Sequence, residues 1–191
     1  MHIILRAFLC LAIMLSPVAQ AKNPADASEI ILPQIDNLRI EAALAREQNL
    51  PLLIMFSSEH CRYCSIMADE FLKPMMFTGE YQDKILFRQL NLSARAEIID
   101  FDGSPIKVRE FARRYKIRLT PTLIFLDHSG QQAAPAMVGL STPDYFGSYL
   151  DTAINTAHTY VRAKRTTADR ASLIKVHPNA TADALQVTAG D

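Results

Sequence analysis

Apolar residues follow two rhythms along this chain. Short apolar runs at 52–56 (Leu-Leu-Ile-Met-Phe), 85–92, 122–126 and 136–140 are the length of strands, and the first and third are apolar enough to be buried on both faces. Between them the apolar positions recur at helical spacing: Leu38, Ala42 and Ala45; Ile66, Met67, Phe71 and Leu72; Val108, Phe111, Ala112 and Tyr115. The last helix, opened by Pro143, carries a broad face of Tyr145, Phe146, Tyr149, Leu150, Ala153, Ile154 and Ala157. Smaller signals add a short edge strand at 30–32 ending at Pro33, and Asp36 as the cap of a helix over 38–48. Pro74 is expected to end the helix that begins near Cys61, or to start a second one through Met76, Phe77 and Tyr81. Residues 93–107 are irregular, with a turn at 102–105, and 127–130 is the turn of a hairpin. The order is βαβαββα. A parallel βαβ unit, right-handed as such crossovers nearly always are, followed by an antiparallel hairpin makes an α/β chain.

The ends do not follow these rhythms. A basic Arg6, an apolar stretch over 7–15 and Ala19-Gln20-Ala21 form the pattern of a secretory signal peptide, expected at 1–21 and cleaved after Ala21. The apolar stretch is short for a bilayer span, so no stable membrane insertion is expected. Residues 22–35 read as a leader, 36–161 as the folded domain and 162–191 as a flexible tail with few apolar anchors. The 191 residues suffice for one domain, and 20 basic against 20 acidic residues give no net charge, which argues against nucleic-acid binding.

Of the three cysteines, Cys10 lies in the signal stretch, leaving Cys61 and Cys64 after export. Two cysteines make no disulfide framework in an oxidising compartment, so the pair reads as reactive. It sits where a strand ends and a helix begins. Unpaired N–H groups of a first helical turn stabilise a thiolate there. Cys61 is then the exposed nucleophile, and Cys64, three residues on, the thiol that resolves a mixed disulfide. Arg62 adds positive charge that tunes the thiol, and His60 adds more when protonated. A structural zinc site would need more ligands than this pair offers. Soft copper ligation by Cys61, Cys64 and Met67 is the rival reading, that of a carrier without turnover.

Strand, Cys-x-x-Cys, helix, followed by Leu119-Thr120-Pro121-Thr122, resembles the thioredoxin superfamily, and in particular its bacterial exported, periplasmic members. The resemblance implies a thioredoxin fold, a mixed central sheet flanked by helices on both faces, and a redox-active Cys61–Cys64 disulfide with no other cofactor and no metal. It also implies a cis Pro121 facing that disulfide. Thr120 and Pro121, with Tyr63, would bind an extended client segment. It further implies a monomer that acts on thiols and disulfides of exported proteins and exchanges electrons with a membrane-bound partner. Two departures stand out: His60 replaces the usual tryptophan before the first cysteine, and Met55 stands where the family carries a buried aspartate. The direction of electron flow stays open. The absence of the insertion found in dedicated oxidases leans towards a reductase.

Overall fold

The computed structural model describes the backbone of residues 31–176 and the side chains of 31–168. The expected signal peptide, most of the leader and the last part of the tail lie outside these residues. The elements are α1 (Leu38–Gln48), β1 (Leu52–Ser57), α2 (Arg62–Met67), a π-helical turn (Ala68–Leu72), α3 (Lys73–Phe77), β2 (Leu86–Asn91), β3 (Glu97–Ile99), β4 (Pro105–Lys107), α4 (Val108–Arg114), β5 (Thr122–Leu126), β6 (Gln132–Val138) and α5 (Pro143–Val176).

The main sheet has the order β2-β1-β5-β6, with β1 and β2 parallel and the other neighbours antiparallel. Every residue of β1 and β5 is buried, because helices cover both faces of these two central strands. Alternation divides their side chains. Leu53, Met55, Leu123 and Phe125 face the α2 segment and α5, packing with Met67, Leu72, Phe146, Leu150 and Ile154. Leu52, Ile54, Phe56, Ile124 and Leu126 face α1 and α4, packing with Leu38, Ala45, Phe111 and Ala112. Each fully buried Leu, Ile or Phe contributes roughly 1.5–3 kcal/mol of transfer free energy, so these two layers hold the sheet.

Four local expectations are corrected. Residues 31–33 form no strand; instead Gln89 N–H donates to Pro33 O at 2.8 Å and Ile35 N–H to Gln89 O at 3.1 Å. Leu32 and Ile35 are buried, so the packed unit begins before residue 36. The cap of α1 is Asn37, not Asp36: its Oδ1 accepts from Arg39 N at 3.0 Å and Ile40 N at 3.3 Å. Pro74 does not end the cysteine helix; it sits in the first turn of α3, the second helix expected as the alternative, which stops at Phe77, short of Tyr81. The π turn before it widens the helix, and the chain continues helically to Phe77. At the C-terminal end, α5 runs on through Val176, whereas the expected tail starts at 162; Val161 is its last buried side chain among the described residues.

Candidate active site

β1 delivers the chain to the top of the sheet at Ser57, and the loop 58–60 turns it into α2. His60 takes a left-handed backbone, φ 58°, which makes that turn tight. Cys61 is the N-cap of α2, with extended backbone angles. Its sulfur is bonded to Cys64 at 2.07 Å, with the Cα atoms 5.2 Å apart. The Cys64 backbone N–H also points at Cys61 Sγ, 3.2 Å away. Cys61 is half-buried and Cys64 is only 5% exposed, so one sulfur is reachable from solvent and the other is shielded.

The second motif arrives from β5. The Thr120–Pro121 peptide bond is cis, Pro121 is buried, and Pro121 O accepts from Gly139 N at 2.8 Å. Thr120 Oγ1 and Ser58 Oγ lie 2.8 Å apart, a hydrogen bond that ties the proline loop to the loop before the disulfide. Ser58 carries no motif signal in the sequence; only the antiparallel pairing of Phe56 with Thr122 shows that the two loops emerge side by side. Leu119 and Tyr63 are exposed apolar residues, at 64% and 60%.

A recess of about 660 Å³ opens beside the disulfide. Cys61, Cys64, His60 and Arg62 line it, whereas Thr120, Pro121 and Tyr63 do not. The candidate residues thus divide between two sides of the sulfur pair. Met55 is 1% exposed and also borders the recess, so the wall behind Cys64 carries a thioether where a carboxylate was the family expectation. The polar groups there are neutral: Gln89 Nε2 donates to Ser57 Oγ at 2.7 Å. Asp69 is the one carboxylate lining it, and Lys73 holds it at 2.7 Å. Glu59 and Glu70 are exposed. Met67, the candidate third copper ligand, is fully buried among Leu53, Met55 and Leu72. Among the described residues, no three His, Cys, Asp or Glu side chains gather as a metal site.

The displaced titrations lie elsewhere. At the far end of β5, burial raises the Asp127 carboxyl. Hydrogen bonds from Lys164 and Ser129 and from the Ser129 and Gln131 backbones outweigh burial and hold it below the usual range. Asp100 is held low by its hydrogen bonds from Arg114, against burial. Tyr81 is pushed up to about 12 by burial and by Asp151, which accepts its hydroxyl proton at 3.0 Å.

A protein-family model described as a thioredoxin-like domain matches residues 38–154. The chain belongs to that family. The match spans the disulfide, the cis-proline loop and all four strands of the main sheet. Solved structures are similar at low identity. Poplar thioredoxin h is 20% identical, with 63% of this chain and 95% of that one covered and a TM-score of 0.44. Spinach chloroplast thioredoxin f, short form, is 17% identical, with 66% and 92% covered and a TM-score of 0.45. A protein described as DsbH oxidoreductase is 18% identical, with 75% and 94% covered and a TM-score of 0.48. A search of curated protein sequences returns no significant match. A thioredoxin-like domain bearing a Cys-x-x-Cys disulfide is equipped for thiol–disulfide exchange, and thiols and disulfides are its substrates. Among the described residues no helix is long and apolar enough to cross a membrane.

Proposed function

We propose that this protein is a periplasmic thiol–disulfide oxidoreductase that reduces disulfides of exported client proteins. The observation that carries the reading is the asymmetry of the pair: a half-exposed Cys61 capping a helix, and a buried Cys64 one turn behind it. In the reduced form, the Cys64 N–H that points at Cys61 Sγ stabilises the Cys61 thiolate. That thiolate attacks one sulfur of a client disulfide. A mixed disulfide forms, and the other client sulfur leaves as a thiolate and takes up a proton. Cys64 then loses its proton and attacks Cys61 Sγ. The second client sulfur is expelled, and the Cys61–Cys64 bond closes. Two electrons pass to the client, and a membrane-bound thiol partner returns them.

The exposed Tyr63 and Leu119, together with the Thr120 backbone, offer an extended client segment apolar contacts and strand-like hydrogen bonding. Export rests on the apolar stretch at 7–15 and the small-residue site at 19–21.

The deciding experiment is a redox titration of the purified protein combined with an insulin-reduction assay. A potential near about −270 mV with turnover supports a reductase; one near about −120 mV makes it an oxidant. Stoichiometric, tight Cu(I) retention without turnover would replace this reading with the carrier. Periplasmic fractionation of a tagged chain tests the location.

A further inference from the structure

The recess beside the disulfide is not needed to dock a polypeptide. It touches the proline loop only through Ser58, and Tyr63, Leu119, Thr120 and Pro121 are absent from its walls. Its volume of about 660 Å³ suits a small molecule, since ligand pockets run roughly 300–1,000 Å³. Both Cys61 and Cys64 open into it, so a ligand lying there can present a sulfur to the pair.

The walls indicate what else that ligand carries. Gln89 gives one of its two amide N–H groups to Ser57, and its carbonyl oxygen has no protein partner among the described residues. Asn91 spends its carbonyl on Ser93 N at 2.8 Å, and its amide donor has none. The open carbonyl of Gln89 and the open amide N–H groups of Asn91, two residues apart on β2, complement an amide group. Arg62 has no acidic partner, while Lys73 is balanced by Asp69. The walls therefore carry one net positive charge with histidine neutral, and favour an anion.

We propose that this recess is a binding site for small, anionic, amide-bearing disulfides. The proposal rests on the oxidoreductase reading and adds a substrate class to it. The Cys61 thiolate attacks one ligand sulfur and expels the other half as a thiolate, which is protonated by water. Cys64 gives its proton to water and attacks Cys61 Sγ, releasing the half held in the recess. The protein is oxidised by two electrons and the ligand is reduced to two thiols.

The test uses the purified, reduced chain and two probes: glutathione disulfide, which is anionic and has amides, and cystamine, which is cationic and has none. The readout is the ratio of their second-order rate constants, because a change in thiol reactivity cancels in the ratio. The expected ratio exceeds that of dithiothreitol, a free dithiol, by tenfold or more. Asn91→Asp keeps the acceptor for Ser93 N but removes the donor and adds negative charge. Lys73→Gln removes a cation from the surface. Each should lower the ratio, by fivefold or more for Asn91→Asp, while insulin reduction stays at the wild-type rate. A wild-type ratio equal to that of dithiothreitol, or a ratio that neither variant moves, overturns the site while leaving insulin reduction, and so the oxidoreductase reading, intact. A chain that reduces neither insulin nor either probe overturns both.

Discussion

The two ends of the central strands handle charge in opposite ways. At the Asp127 end a fully buried carboxylate is saturated: Lys164 Nζ lies at 2.6 Å, and the Ser129 and Gln131 backbone N–H groups and the Ser129 hydroxyl also donate to it. At the disulfide end the buried side chains are neutral, and the charged ones, Arg62 and the Asp69–Lys73 pair, are not buried. Fixed charge that is fully paired holds the fold together, because losing one partner strands the other. Chemistry in which a sulfur alternates between neutral and anionic is served by surroundings that hold no competing fixed charge.

The contrast is tested first at the sulfurs. Cys61→Ser should abolish insulin reduction with little change in fold, whereas Cys64→Ala should accumulate a mixed disulfide with a client, seen as a mass increase that a reductant reverses. Next comes the far end. Lys164→Met leaves the Asp127 carboxylate buried with neutral donors only. It should cost about 2 kcal/mol of unfolding free energy, after allowing for the water that reaches the partly exposed lysine. Asp127→Asn added to it should recover part of that loss, and neither change should alter the exchange rate. Denaturant midpoints and stopped-flow exchange measure the two effects separately.

Acid should act through the same end. Asp127 and Asp100 are held below their ordinary values in the folded chain. The stability they supply is present above the unfolded carboxylate value, about 3.9, and is lost as pH falls below it through the folded values. Urea midpoints should therefore drop below about pH 4, and less steeply in Lys164→Met, whose Asp127 titrates higher. The smallest effect is expected at the seam between the two active-site loops. Ser58→Ala removes the hydrogen bond to Thr120 and should cost about 1 kcal/mol or less, with a fall of a few-fold in insulin reduction. An unchanged rate would mean that the proline loop is positioned by its backbone alone.

The sheet was legible because β1 and β5 are unbroken apolar runs, and the cysteine pair because its spacing sits on a strand-to-helix boundary. Other features left weaker marks. β3 and β4 are three residues each, too short for alternation to show. Asp36 and Asn37 are both good caps, and only the backbone decides between them. The recess takes Gln89 and Asn91 from a neighbouring strand, and their place opposite Met55 and Ser57 is a matter of register. Pro74 reads either as a breaker or as a helix start, and nothing in its neighbours announces the π turn that lets the helix run on through it.

That turn has a consequence for where the sulfurs point. Met67 and Leu72 are five residues apart and both fully buried. In an ordinary α-helix five residues advance by about 500°, which would set the two about 140° apart in rotation. The wider turn brings both under the same sheet. Deleting one residue between them would let the segment close as an ordinary α-helix with the two four residues apart, about 400° of rotation, and so still about 40° from a common face. The angular phase of this one segment, rather than its length, aims the reactive pair.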